Sequence, residues 1–596
     1  MALLYLNADL FHGAVIRACE WLIQQREALN AINIFPVADG DTGDNMAATA
    51  TAIISHAEKQ PTLAAACKVI ADASILGARG NSGMIFSQFF NGLIDGAHLP
   101  AELNTKQFAK LVTKAAQSVR SAILNPVEGT ILTVMDAWAH SLSTHAETIT
   151  DFKQLMHEIK HDVQDALTST TNFLAVLKEA HVVDAGAKGF FFFIQGFASF
   201  LMNSEQVSLQ PVPQQSTILE FGHSHDDVSC IDTPPNFRYC TEAVVMGNDI
   251  DREQVKKAIM AEGDSIVVTG NGRLCRLHLH TDQPWKVFSA LRAIGKIRYP
   301  KVDDMLRQYQ MLHQPKYRIA LVTDSGVNIP QTLVDEYQIH FISLNVHWDG
   351  HDLLDKYSLE GDCFYQELAD YKGSVTTSFP SPSVMEEKIA LLSRHYDAVL
   401  VITLAQVLSG THDAIRQIAQ KHSNVHVINS KHVAGSQGLL LNYAAELIAD
   451  GMPIEEIIAA VEQKIPKTKF YAIIDQIQGL VQSGRVPKIA GKIVQMAGIK
   501  PIITLDNDGR GILSDKAFSE AKAIKKLIEQ IKQLASAQGE IENYCILHTG
   551  VSEKAREFAI MTTDAFGYEP AFIDVAATAI GVHAGCRALA LAAMFR

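Results

Sequence analysis

Apolar residues recur at three- and four-residue spacing through DLFHGAVIRACEWLIQQREALNAI, TLAAACKVIADASIL and FAKLVTKAAQSVRSAI, and the period persists from Asp9 to Met202. Each run puts one apolar stripe on a helix, so residues 1–203 are expected to form an all-α domain. The most apolar stretch, Gly189 to Ser204 with the run Phe190 to Phe193, is shorter than the roughly 20 residues that cross a bilayer. A buried helix is expected there, and no transmembrane segment. The period then breaks: residues 204–236, rich in Pro, Ser and Gln, read as a linker with a boundary near Pro211. Strand-like YCTEAVVMG, DSIVVTG and LCRLHLHT, with helical EQVKKAIMAEG and WKVFSALRAIG, predict a small α+β middle domain over 237–300. Residues 301–316 read as a connecting segment. Over 317–596 the strands RIALVTDS, AVLVITL, VHVINS and YCILHT alternate with helical patterns, the signature of parallel α/β layers, here in two lobes.

Composition narrows the function. The chain has 596 residues, 47% hydrophobic and 19% charged, enough for about three or four cores. Its net charge of −14 and the lack of a dense basic cluster argue against nucleic-acid binding, which needs Lys and Arg to neutralise phosphates. Eight scattered cysteines without a C-x-x-C point to reduced thiols and a cytoplasmic setting. The N-terminus has no basic region ahead of its apolar residues and does not read as a signal peptide.

Two segments in the helical region carry chemistry. In Asn33-Ile-Phe-Pro-Val-Ala-Asp39-Gly-Asp41-Thr-Gly-Asp44-Asn45-Met46, closely spaced carboxylates repel unless a cation holds them, and oxygen ligands suit Mg²⁺ or Ca²⁺. An EF-hand register fails, because its glycine would fall on Asp44 and its closing glutamate on Ala50. The plain alternative is a solvated turn capping the next helix. In Gly77-Ala-Arg79-Gly80-Asn81-Ser82-Gly83, glycines let backbone N–H groups approach an anion at a helix start. No P-loop and no protein-kinase H-R-D set occurs.

NIFPVADGDTGDNM, GARGNSGMIFSQ, NPVEGTILTV and VVDAGAKGF, in this order, resemble the four blocks of the DhaL-type kinase domain, in the version found in bacterial fatty acid kinases. The resemblance implies a helical nucleotide-binding domain in which paired aspartates hold Mg²⁺ on the phosphates of ATP. Asp39 and Asp41 would be the catalytic metal ligands, with Asn33 where dihydroxyacetone kinases have an Asp. Thr42, Asn45, Ser82 and Gly83 would contact phosphates, and Thr130, Asp184 and Gly186 would lie near the nucleoside. Asp44 replaces an expected Thr, and its role, ligand or spectator, is open.

In the middle domain, His278 and His280 sit two apart on a strand and so face one side, where Cys240 from a neighbouring strand could complete a three-ligand Zn²⁺ site. Two strand histidines beside a buried thiol is the equal alternative. YCTE and the His-Leu-His stretch resemble the middle domain of fatty acid kinases, which favours a structural zinc.

Farther on, Asp324-Ser325, Thr376-Thr377-Ser378, Ser409-Gly410-Thr411 and Gly581-Val-His583-Ala-Gly585 place hydroxyls and an imidazole beside helix starts, suited to a carboxylate or phosphate; taken singly, each reads as a helix cap. Together with Gly484-Arg485-Val486 they resemble the DegV family of fatty-acid-binding proteins over about 280 residues. That resemblance makes Thr377, Ser378, Ser409, Gly410, Arg485 and His583 the holders of an acyl carboxylate. Phe379, Leu404 to Leu408 and Cys586-Arg587 depart from the family pattern.

The expectation is an ATP-dependent kinase that phosphorylates the carboxylate of a fatty acid held by its own DegV-like domain. Its cofactors would be ATP, Mg²⁺ and a structural Zn²⁺; its partners would be the fatty acid, a second copy in a homodimer, and a downstream acyltransferase using the acyl phosphate. A dihydroxyacetone-type (glycerone) kinase and a non-catalytic lipid-binding regulator are the alternatives.

Overall fold

The computed structural model describes residues 2–35, 40–94, 99–203, 234–475, 479–480, 484–485 and 499–596. They form two compact units, the first reaching Tyr309 and the second starting at Gln310. The expected linker at 204–236 lies outside the described residues as far as residue 233, and so does Asp39.

The first unit begins with α1 (Ala8–Gln24), α2 (Arg26–Asn30), α3 (Thr42–His56), α4 (Leu63–Gly77), α5 (Gly80–Ile94), α6 (Thr105–Ala122), α7 (Ile131–His145), α8 (Phe152–Phe173), α9 (Ala175–Ala180) and α10 (Ala185–Met202). Several starts are set by side-chain caps: Asn7, Thr62, Asn104, Asp151 and Asp184 each accept a first-turn N–H. The core is aromatic. Phe86, Phe89, Phe90, Phe108, Trp138, Phe190, Phe193 and Phe197 are all buried, with edge-to-face pairs such as Phe86–Phe90 and Phe89–Phe190 at 5.1 Å between ring centres. Helix α10 is apolar and long enough to cross a membrane, but 67% of it is buried inside this core.

The middle domain adds β1 (Tyr239–Met246), α11 (Arg252–Ile259), β2 (Asp264–Gly270), β3 (Leu274–Thr281), α12 (Pro284–Arg292), β4 (Lys296–Asp304) and α13 (Met305–His313). The four strands form an antiparallel sheet in the order β2-β3-β1-β4. The segment read as a connection from residue 301 is therefore partly strand and partly helix: β4 runs through Pro300 to Asp304, and α13 follows. Proline marks an end in sequence, but β4 is an edge strand, where a missing N–H is tolerated. The sheet docks on the helices: Gly270 N–H donates to Gln88 Oε1 at 2.9 Å and Asn271 Nδ2 to Asp72 Oδ1 at 2.9 Å.

The second unit contains β5 (Ile319–Asp324), α14 (Gln331–Glu336), β6 (His340–Ile342), β7 (Asn345–Trp348), β8 (His351–Leu354), α15 (Gly361–Asp370), β9 (Val375–Ser378), α16 (Pro382–His395), β10 (Ala398–Thr403), α17 (Thr411–Ala419), β11 (Val425–Asn429), α18 (Ala434–Ala449) and α19 (Ile454–Lys464). It continues with β12 (Thr468–Ile473), β13 (Lys500–Leu505), β14 (Gly511–Ala517), α20 (Glu520–Gln538), β15 (Ile541–His548), α21 (Ser552–Phe566), β16 (Phe572–Val575), α22 (Thr578–Ala584) and β17 (Leu589–Phe595). One lobe is the expected parallel sheet, β11-β10-β5-β6. The other is a six-stranded sheet, β14-β13-β12-β17-β15-β16, in which only β15 and β16 run parallel. The parallel reading thus holds for YCILH in β15 only against β16, while β17 on its other side runs antiparallel. An apolar strand looks alike in either kind of sheet, and direction is set by the partner it meets.

Candidate functional sites

Helix starts converge around α3. Gly80 opens α5 with φ of +51°, and a Cβ on it would lie 2.4 Å from the Asn45 amide nitrogen; a Cβ on Gly83 would lie 2.7 Å from the Asn45 carbonyl. Only glycine lets the first turns of α3 and α5 meet so closely. Helices α7 and α10 start beside one another at Asp184, whose carboxylate accepts the Ala187 N–H at 2.7 Å and faces the N–H groups of Ile131 and Gly186. Burial outweighs those bonds and raises its pKa to about 7. Helix α10 also leans on α3, where Gly189 faces Met46. N-termini gathered in this way offer free N–H groups and positive dipole ends to an anion.

Within this site the expected residues divide. Asp41 stands at the N-cap of α3 yet makes no side-chain cap bond, so its carboxylate is not spent on the helix. Asn33 is buried and its Oδ1 accepts from Thr42 Oγ1 at 2.7 Å. Asn45 is buried against Gly80, and Ser82 is half-buried in the first turn of α5. Thr130 Oγ1 donates to the Val127 carbonyl rather than capping α7, and Gly186 packs against Asp184 and Ile131. Asp44 points toward α2 instead: it accepts from Asn30 Nδ2 at 2.8 Å, its N–H donates to Asn30 Oδ1 at 3.2 Å, and Arg26 Nε lies 3.3 Å from its carboxylate. These contacts tie α3 to α2.

In the middle domain the antiparallel register sets Cys240 opposite His280 and Glu242 opposite His278, all on one face. Cys240, His278 and His280 each bring one ligand atom within 4.8 Å of the others, with Cys240 Sγ 3.7 Å from His278 Nδ1. Zn–S near 2.3 Å and Zn–N near 2.0 Å at a tetrahedral angle put two such ligands about 3.5 Å apart, so the donor set and its spacing suit zinc. Burial, then the neighbouring His278 charge, pushes the His280 pKa down to about 3; burial opposes a charge on His278 too, but Cys240 and Glu242 outweigh it and raise its pKa to about 10, so zinc would have to displace that proton. Sequence reasoning does not single out Glu242 and Arg276. Glu242 is 4% exposed and bonds Arg276, His278 and the Gly80 N–H. Burial opposes its charge, but His278 and Arg276 outweigh that and hold the carboxyl well below its usual range.

In the second unit, Thr377 Oγ1 and His583 Nε2 lie 2.9 Å apart. Burial, then the Arg485 charge, lowers the His583 pKa to about 3, so the ring is neutral near pH 7. Gly410 abuts the Phe379 ring, which places the start of α17 beside the end of β9, and Ser409 Oγ pairs with Thr411 Oγ1 at 2.8 Å. Ser378 does not join this group. Successive strand residues face opposite sides, and β9 turns Thr377 inward and Ser378 outward. There Ser378 Oγ lies 3.0 Å from His347 Nε2, whose Nδ1 lies 3.0 Å from Asp352 Oδ1. The order is that of nucleophile, base and orienting carboxylate, but the side chains of His347 and Asp352 are 41% and 32% exposed, open to water that would compete for an acyl intermediate. Ser325 and Thr578 both donate to the buried Asp355, and Asp324 takes the Leu404 and Gly326 N–H groups, so these residues brace the fold.

Residues 36–199 match the DAK2 domain, residues 236–312 the fatty acid kinase A-subunit-like middle domain, and residues 318–596 the DegV family of uncharacterised proteins. Uncharacterized proteins of Staphylococcus aureus and Staphylococcus epidermidis are 32% and 31% identical over 313 and 312 residues, 51% of this chain in each case. The chain spans only 57% and 56% of the length of these two curated relatives. Among solved structures, a fatty acid binding DegV protein from Bacillus subtilis is 27% identical with a TM-score of 0.43, covering 47% of this chain and 100% of its own. A fatty acid binding DegV family protein from Streptococcus agalactiae is 24% identical with a TM-score of 0.43, covering 47% and 99%. The chain therefore carries a DAK2 domain, a middle domain of the fatty acid kinase type and a DegV-family domain, in that order, on one polypeptide.

Proposed function

We propose that this protein is an ATP-dependent fatty acid kinase: the carboxylate of a fatty acid held by the DegV-family domain attacks the γ-phosphate of ATP bound in the helical domain, giving acyl phosphate and ADP. The observation that carries the reading is the presence, on one chain, of a gathering of helix N-termini suited to phosphates and of the Thr377–His583–Arg485 group suited to a carboxylate. A fatty acid is already ionised at neutral pH, so its attack needs positioning and charge neutralisation but no general base. This matches a site whose parts are carboxylates for a metal and backbone donors. Tethering acceptor to kinase raises their effective concentration.

Asp41, with Asp39 beside it in sequence, would hold Mg²⁺, which neutralises phosphate charge. Thr42, Asn45, Ser82 and Gly83 would line the phosphates, and the starts of α7 and α10 the nucleoside. Cys240, His278 and His280 would hold a structural zinc, on the support of their spacing. Thr377, His583 and Arg485, with Ser409 and Gly410 near them, would hold the acyl carboxylate. The acyl phosphate would pass to an acyltransferase.

The test incubates the protein with ATP, Mg²⁺ and a long-chain fatty acid, traps acyl phosphate with hydroxylamine, and runs dihydroxyacetone in parallel. Hydroxamate that requires both ATP and fatty acid is expected. ADP formed only with dihydroxyacetone makes the protein a glycerone-type kinase; no turnover with lipid still bound makes it a carrier.

A further inference from the structure

Glu242 belongs to the middle domain, yet it ends on the phosphate turn of the helical domain. Its Oε1 accepts the backbone N–H of Gly80 at 3.0 Å and lies 3.1 Å from His278 Nδ1, while its Oε2 accepts from Arg276 Nη2 at 2.8 Å. Arg276 Nη1 in turn reaches the Leu76 carbonyl at 3.3 Å. One side-chain pair therefore brackets the whole connection between α4 and α5. The cation meets the carbonyl end of α4 and the carboxylate meets the N–H end of α5, which is the favourable sense for both helix dipoles.

That connection has little freedom otherwise. Gly83 N–H makes the first intrahelical bond, to the Arg79 carbonyl, so Gly80, Asn81 and Ser82 carry the orphan donors of the helix. Glu242 takes the first of them. By helix geometry the N–H groups of Asn81 and Ser82 are the other two first-turn donors at this helix start. Arg276, 2.8 Å from Glu242 Oε2, offsets the Glu242 charge, so the carboxylate fixes the turn without making it hostile to a phosphate.

We propose that Glu242 is a positioning residue of the nucleotide site: by holding the Gly80 N–H it anchors the start of α5 to the middle domain and sets where the Asn81 and Ser82 donors point. This rests on the reading of the α5 start as a phosphate site. It gives the middle domain a part in nucleotide binding.

Two conservative variants separate reach from charge. Glu242→Gln keeps an oxygen at the right distance for Gly80 but loses the charge; Glu242→Asp keeps a carboxylate for Arg276 but falls a methylene short of Gly80. In the full-length protein, ATP turnover and binding of a fluorescent ADP analogue are measured for both. Glu242→Asp is expected to raise KM for ATP and the analogue Kd about tenfold with kcat within about twofold, the cost of one lost buried hydrogen bond, and Glu242→Gln to stay within about threefold of the parent protein. A residue that only supports the fold would lower the active fraction, and so kcat, at unchanged KM. That result overturns the proposal, as does Glu242→Asp with unaltered KM and Kd, or Glu242→Gln as impaired as Glu242→Asp. A parent protein that neither binds the analogue nor turns over ATP defeats the kinase reading itself, a failure visible before any variant is compared.

Discussion

The two candidate anion sites of this chain are built from different material. In the helical domain the donors are backbone N–H groups at helix starts, and glycines at 80 and 83 admit the close approach. In the DegV-family domain the polar groups are a hydroxyl on β9, an imidazole on α22 and the Arg485 guanidinium, with Thr377 and His583 brought together across 206 positions. Composition of this kind decides what each site tolerates. Apart from a carboxylate that holds a metal, a backbone site loses little when a side chain is trimmed and much when one is added; a side-chain site behaves the other way.

The largest effect expected comes from removing the Asp41 carboxylate from the first site. Asp41→Ala should lower ATP turnover by more than about a hundredfold, the scale of losing a metal ligand that stabilises transferring charge, with fatty acid occupancy unchanged; unaltered turnover would remove Asp41 from the metal. Next comes Gly80→Ala. Left-handed backbone costs about 1–2 kcal/mol for an L-residue, and the new Cβ meets the Asn45 amide, so nucleotide affinity should fall at least about tenfold while lipid binding holds. A normal nucleotide Kd in this variant would show that the α5 start is not at the phosphates. In the other site, trimming is the test. Thr377→Val and His583→Ala should each weaken acyl binding by roughly tenfold, about one hydrogen bond, whereas Ser378→Ala should bind lipid like the parent. Equal losses at Thr377 and Ser378, read by lipid displacement, would contradict the inward and outward faces of β9.

The same contrast explains what could be read from sequence. The helical domain is legible because its apolar period, its Asx caps and its glycine turns are local, each within a dozen or so residues. Where geometry comes from pairing, much less is legible: Ser378 looks equivalent to Thr377 until strand alternation separates them, and β15 looks like another parallel strand until β17 pairs with it antiparallel. Cys240, His278 and His280 could be grouped because two of them share a strand. Glu242 could not, since its partners Gly80 and Arg276 are 162 and 34 residues away. An acid leading directly into the apolar strand run Ala243 to Met246 was the one signal available for it.

Each site also buries one titrating group, and in opposite senses. The Asp184 pKa rises from the usual 3.8 to about 7, so between those values the folded chain keeps a proton that the unfolded chain gives up, and this group's stabilising contribution falls as pH rises through that window. The effect is of order a few kcal/mol, and the Asp184→Asn variant should lose that pH dependence. His583 runs the other way and more weakly. Its pKa drops from 6.5 to about 3, so over that range the unfolded chain binds a proton that the folded one refuses. Stability from this group therefore falls as pH drops below about 6.5 and is steady above it. Partial access to solvent makes the slope shallower than for a fully buried ring. His583→Gln removes the titration, so the melting temperatures of parent and variant, compared from about pH 7.5 to about pH 4.5, should draw together or cross in favour of the variant as the pH falls. A constant difference over that interval would mean that His583 titrates alike in both states, and that the neutral imidazole facing Thr377 is not what burial imposes.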